Sequence, residues 1–324
     1  VMVAESSTVV PESPVDDTLL AALTSVGVVS AARVYVGDEL VEAAGPRALV
    51  PALGAALYSA LHVGRAYDGS IRPTLRDLPL EGRLAAALPH RRTPVRAPVV
   101  EDGNDDCVVE LSGVRVRVPA GRVGARDDDG TATVSLDAAR PTLSPGFYLC
   151  DGSAGSITGA GPILRLYLHL ATADHAPGAL AAGLGVLESR QVPYRAKILS
   201  LPGSYPRRDA MVVYLEQPAW PVLDDLVEAL SGVPGLVDET SPFARRVAPG
   251  IAVAWDPADG RPGMRALSFG EHRARMTAEA VVDHAVRGIP LAEAVAAAFL
   301  RGGADPAAPF RNTTSPRLPW PDRP

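Results

Sequence analysis

Ile163-Leu164-Arg165-Leu166-Tyr167-Leu168-His169-Leu170 alternates without a break. Successive side chains of a strand point to opposite faces. Leu164, Leu166, Leu168 and Leu170 therefore line a core, while Arg165, Tyr167 and His169 share the other face. A segment of this kind has to lie in a sheet that is covered on its leucine side. The residues that follow predict the cover. Pro177 can open a helix that carries Leu180, Leu184 and Leu187 on one stripe. A strand over 194–200 comes next, with Arg195 and Lys197 on one face, then a strand over 209–216 and an amphipathic helix over 218–230. The order β-α-β-β-α predicts an α+β fold: an antiparallel or mixed sheet with helices on one face.

The remaining chain adds an N-terminal helical region. Leu19, Leu20, Leu23 and Val26 fall on one face of a helix that starts near Asp16, and a second apolar stretch over 49–63 also reads as helix. Residues 1–15 are small and polar and read as frayed; 85–105 is rich in Pro and acids and reads as a loop or domain joint. Strands are predicted over 108–118, 131–136 and 251–255, and helices over 277–286 and 291–300. The expected division is an N-terminal helical region at 1–104, an α+β core at 105–302 and a Pro-rich tail at 303–324, disordered or extended on the surface.

Composition narrows the function classes. The net charge of −6 argues against a simple basic protein that binds nucleic acid. No apolar run approaches the ~20 residues of a membrane span, and the start has neither a basic nor an apolar signal region, so a cytoplasmic protein is expected. The 2 cysteines and 6 histidines show no metal-ligand spacing, and Cys150 reads as an inert core thiol. The Gly-rich run 152–161 lacks a Gly-Lys-Ser/Thr ending and leads into a strand, which excludes a phosphate loop.

Of the 31 basic residues, all but Lys197 are arginine. Against an Arg-rich background of this kind a neutral surface position would drift to Arg, so a surviving Lys points to a role guanidinium cannot fill. Arg stays protonated in proteins, whereas a buried or cation-crowded Lys can lose its proton. On the strands themselves Arg165, His169, Arg195 and Lys197 have no interleaved Asp or Glu, and Arg207, Arg208, Arg246, His272, Arg273 and Arg275 follow. Such a group suits a phosphate or carboxylate, because Arg presents a planar fork to oxyanions.

Ser144-Pro145-Gly146-Phe147-Tyr148-Leu149, Arg165-Leu166-Tyr167, Pro193-Tyr194-Arg195-Ala196-Lys197-Ile198-Leu199, Tyr205-Pro206-Arg207-Arg208-Asp209-Ala210, Ala248-Pro249-Gly250 and Ser268-Phe269-Gly270-Glu271-His272-Arg273 follow one another in an order that resembles HopA-type effector domain proteins. The likeness spans roughly 105–300 and is weak over the first hundred residues. In actinomycetes such proteins accompany gene clusters for thioamitides and class V lanthipeptides. The resemblance implies the lyase half of a split Ser/Thr dehydratase. On that resemblance a separate kinase of the aminoglycoside-phosphotransferase type would phosphorylate a ribosomal precursor peptide, and this chain would eliminate the phosphate without a cofactor. The first hundred residues are then the candidate docking region for the kinase. A more distant likeness is to phosphothreonine lyase effectors, in which a strand-borne His is the general acid and a Lys about thirty residues later the general base. His169 and Lys197 stand 28 apart. That family carries a Lys two residues before its His, where this chain has Tyr167. The implied site is Lys197 as base, His169 or His272 as acid, and Arg165, Tyr167, Arg195, Tyr205, Arg207, Arg208, Arg246, Arg273 and Arg275 around phosphate and substrate. The alternative is a non-catalytic module that binds the phosphopeptide or the kinase.

Overall fold

The structure, a computed structural model, describes residues 14–65, 72 and 75–317. The chain begins with α1 (Asp17–Ala22), the short strands β1 (Val26–Ser30), β2 (Arg33–Val36) and β3 (Glu39–Glu42), and then α2 (Pro46–Leu57) and α3 (Leu78–Ala86). A run of strands follows: β4 (Arg92–Glu101), β5 (Asp106–Leu111), β6 (Val114–Pro119), β7 (Val123–Arg126), β8 (Thr131–Asp137), β9 (Ala139–Ser144), β10 (Phe147–Asp151) and β11 (Leu164–Leu170). The chain continues through α4 (Ala176–Ser189), β12 (Arg195–Leu199), β13 (Arg207–Leu215), α5 (Leu223–Ser231), β14 (Arg245–Ala248), β15 (Ile251–Trp255), α6 (Phe269–Arg287) and α7 (Leu291–Arg301). Two compact units result. One joins the described residues up to His62 with those from Pro257 on; the other is Val63–Asp256.

The second unit holds a seven-stranded sheet in the order β14-β15-β11-β13-β12-β10-β9, in which every pair is antiparallel. The α+β expectation holds, with no parallel pair in this sheet. Leu164, Leu166, Leu168 and Leu170 are all fully buried. Each such side chain stabilises the fold by about 1.5–3 kcal/mol relative to an exposed one. Helices α4 and α5 lie on this face. At Gly183 of α4 a Cβ would stand 3.2 Å from Met211 Cε and 3.4 Å from Leu230 Cδ2, so a glycine lets helix, sheet and neighbouring helix close up.

The same unit carries a five-stranded sheet, β6-β5-β4-β8-β7, around a small core of Ala97, Cys107, Val109, Val118 and Val134. Two expectations are corrected here. The segment 85–105 contains β4 rather than a loop. Pro94 and Pro98 lie opposite Ser135 and Thr131 of β8, whereas pairing with β5 starts only at Val99. The prolines thus occupy the stretch where one flank carries no ladder that needs their missing N–H. The run 108–118 is a hairpin, not one strand. It turns at Ser112 and Gly113, both at positive φ (52° and 78°), as a two-residue hairpin turn requires.

In the first unit the helices expected near 16 and 49 are present, joined by a three-stranded sheet β1-β2-β3 that the sequence reading missed. Its strands have four or five residues, too few for alternation to stand out. Helix α6 starts at Phe269, earlier than expected, because Ser268 and Glu271 form a capping box. Residues 303–317 are not a loose tail. Ala304 and Asn312 are buried and bridge each other, and the Asp16 amide donates to the Pro306 carbonyl at 2.9 Å. The two compact units meet along the chain at 62/63 and 256/257. The expectations for 1–13 and 318–324 lie outside the described residues.

Candidate active site

The sheet face opposite α4 and α5 carries Arg165, Tyr167 and His169 on β11 and Arg195 and Lys197 on β12. The register ties the two strands together: Tyr167 and Lys197 both lie opposite Val212 of the intervening β13. At a strand spacing of about 4.8 Å their backbones are about 10 Å apart. Lys197 is partly exposed and flanked by Leu149 of β10 and Val212. Its Nζ stands 4.2 Å from the centre of the Phe147 ring. Among the described residues it makes no ion pair.

His169 is buried, and its Nδ1 lies 2.8 Å from the Glu239 carbonyl. A carbonyl only accepts, so Nδ1–H is the donor and Nε2 is left without a protein partner among the described residues. Burial, together with the charge of Arg208, holds the imidazole below its ordinary value. The Arg208 side chain crosses Gly64. That glycine has φ +82°, and a Cβ there would stand 2.7 Å from Arg208 Nε.

The arginines of this face are not the unpaired group that the strand sequences suggest: distant carboxylates reach Arg165 and Arg195, and a same-strand neighbour reaches Arg207. Arg195 meets fully buried Asp151 through Nε and Nη2 at 2.8 and 3.2 Å, and Arg140 reaches the same carboxylate at 3.3 Å. Arg165 pairs with Asp256 and lies 4.9 Å from the centre of the Tyr214 ring. Arg207 meets Asp209 twice, at 2.8 and 2.7 Å, and stands 5.6 Å from the centre of the Phe147 ring. Arg246 is within 3.8 Å of Asp238 at the surface. Arg195 therefore cannot crowd Lys197 with an uncompensated charge. Tyr167 is buried, which pushes its phenol up; Tyr205 is buried likewise and donates to the Leu199 carbonyl at 2.8 Å.

His272, Arg273 and Arg275 belong to the first unit. His272 is fully buried between Asp259, 3.0 Å from Nε2, and Arg273 Nη1, 2.7 Å from Nδ1. Guanidinium only donates, so Nδ1 must accept and Nε2–H must donate. This neutral imidazole is pushed down to about 4, by burial first and then by Arg273. Arg273, expected at phosphate, is itself fully buried. It donates to the carbonyls of Pro309 and Arg311 at 2.7 and 3.2 Å and to Asn312 Oδ1 at 3.1 Å, which makes it a clamp on the C-terminal segment. Arg275 packs against Gly54 of α2.

Sequence reasoning passed over Phe147, Asp151 and Glu239 as site residues. Phe147 stood in a quoted motif; Glu239 acts through its carbonyl, for which no sequence signal exists. Cys150 is buried and its thiol is pushed up by burial, which agrees with an inert role. Among the described residues no group of three or more His, Cys, Asp or Glu could hold a metal, and no helix is long and apolar enough to cross a membrane.

Solved structures similar to this chain include two bacterial effector proteins. The effector protein from Pseudomonas syringae pv. tomato strain DC3000 is 18% identical, with 51% of this chain and 62% of that one covered and a TM-score of 0.41. This chain thus spans less than two thirds of that protein. The effector protein from Pseudomonas syringae pv. syringae strain 61 is 15% identical, with 74% and 86% covered and a TM-score of 0.43. No curated protein matches. Residues 138–311, more than half of the sequence and all seven strands that carry Lys197 and His169, match a defined family, and the chain belongs to the HopA1 effector protein family.

Proposed function

We propose that this protein is a phospho-Ser/phospho-Thr lyase. It eliminates phosphate from a phosphorylated ribosomal precursor peptide in the cytoplasm, leaving dehydroalanine or dehydrobutyrine, and a separate kinase supplies its substrate. One observation carries the reading. Lys197, the sole lysine, makes no ion pair among the described residues, while Arg165, Arg195, Arg207 and Arg246 of the same group each meet a carboxylate. A module that only binds phosphate would be served equally by Arg at this position.

In the reaction the Lys197 amine takes the Cα proton, the Cβ–O bond breaks and phosphate leaves. His169 Nε2 can donate to the leaving oxygen. The proton lost from Cα and the phosphate lost from Cβ balance the step without a redox partner. Each proton transfer typically contributes about 10²–10⁴-fold. Burial and Arg208 disfavour imidazolium at His169 in the free protein, and a phosphate dianion beside Nε2 supplies the opposing charge. The acid is thus charged by its own substrate. Arg207 and Arg208, next to Phe147 and His169, are the arginines best placed for the phosphate.

Mass spectrometry of a synthetic phosphopeptide incubated with the purified protein tests the reading. Loss of phosphoric acid is expected. A product that regains the free hydroxyl would signal hydrolysis, and an unchanged peptide that still binds would leave the binding module.

A further inference from the structure

We infer that Phe147 is a positioning residue for Lys197: its ring face is the seat that holds the side-chain nitrogen on the sheet face opposite α4 and α5. The inference rests on the lyase reading above. Lys197 has a long, flexible stem, and among the described residues its nitrogen has neither a hydrogen bond nor an ion pair to restrain it. Its neighbours across the two flanking ladders, Leu149 and Val212, offer no polar atom. What remains is the Phe147 ring, with Nζ 4.2 Å from its centre, a distance at which the ring face takes either an ammonium or an N–H of the neutral amine.

The ring is itself well fixed. It is 9% exposed and opens β10 directly after Gly146, whose φ of +77° turns the chain from β9 into β10. Backbone pairing places Phe147 opposite Leu199 on one side and Ser144 on the other, two positions along the ladder from the Leu149–Lys197 pair. Arg207 stands 5.6 Å from the centre of the same ring with its guanidinium held by Asp209, so it cannot swing into the lysine's place without breaking that pair. A proton abstraction needs the amine held within hydrogen-bond reach of one carbon, and a displacement of about 1 Å can cost about 10²-fold in rate. A ring that has no chemistry of its own can in this way set the rate.

The sole lysine allows a direct test. Reductive methylation with ¹³C-formaldehyde labels one ε-amine besides any terminal amine, and Lys197→Arg assigns the signal. A methyl group over a ring face resonates upfield. The expected result is an upfield signal in the unsubstituted protein, its return to the free-lysine position in Phe147→Leu, and its retention in Phe147→Tyr. In the unmethylated proteins, Phe147→Leu should lower kcat for phosphopeptide elimination by about 10- to 100-fold with KM within about two-fold, and Phe147→Tyr should restore it. An unshifted methyl signal in the unsubstituted protein overturns the seat. A Phe147→Leu variant that loses the shift yet keeps its kcat overturns the positioning role. An unsubstituted protein that shows the shift but turns over no phosphopeptide removes the lyase reading and the role built on it, while the placement of the nitrogen stands.

Discussion

Acidification should loosen the first unit through one residue, His272. Its Nδ1 accepts from Arg273 and its Nε2–H donates to Asp259, so an added proton at Nδ1 would face a guanidinium in a fully buried site. The folded imidazole is pushed down to about 4 from an ordinary 6.5. Below 6.5 the unfolded chain takes up a proton that the folded one refuses. The contribution is therefore fully present above 6.5 and is lost as the pH falls towards 4. Two and a half decades of proton affinity correspond to about 3 kcal/mol. Asp259 is pushed down to about 2 and stays ionised across this window, so it does not blur it. Hydrogen exchange of α6 and of 303–317, corrected for intrinsic rates, reads the effect. Between pH 7 and 4.5 the unsubstituted protein should lose up to about 100-fold more protection there than His272→Gln, which keeps a donor and an acceptor but does not titrate. Parallel loss in both proteins would refute the reasoning.

Lys197→Arg should keep phosphopeptide affinity and lose at least about 10²-fold in elimination; turnover near the unsubstituted rate, followed by mass spectrometry, would remove Lys197 as the base. His169→Ala should slow elimination by about 10²-fold and matter less for better leaving groups; an equal loss for good and poor ones would make His169 structural. Asp151→Asn leaves Arg195 and Arg140 facing a neutral partner. Both guanidiniums keep some contact with solvent, so the expected cost is about 2 kcal/mol, below the usual figure for a broken buried pair, and an unchanged thermal midpoint would contradict it. The protein should co-elute with the separate kinase proposed above, and elution apart from it would remove that partner. Deletion of residues 1–100 does not test this cleanly, because it removes α2, which packs on α6.

How much of this was legible beforehand follows from the range of each interaction. The strand at 163–170, the helices at 177 and 218 and the shared face of Arg195 and Lys197 could be read directly, because alternation and helical spacing are properties of neighbouring residues. The oddity of Lys197 needed only a count. Where the chain turned within an apolar run, as at Ser112-Gly113, or paired a proline-bearing strand on one flank, local pattern misled. The charge state of the site was for the most part beyond sequence. Asp151 and Asp256 reach Arg195 and Arg165 from far along the chain, where no spacing rule anticipates them, whereas Asp209 stands two residues from Arg207 on the same strand and was passed over; together they turn an apparent field of free cations into paired ones. The same holds for Arg273, which looked free for phosphate until α6 and the C-terminal segment closed around it. Side-chain direction is set by the residue's own backbone, so the sequence alone determined which face Lys197 and His169 share. Which charges survive on that face depends on strand register and on residues far along the chain, so only the tertiary structure decided it.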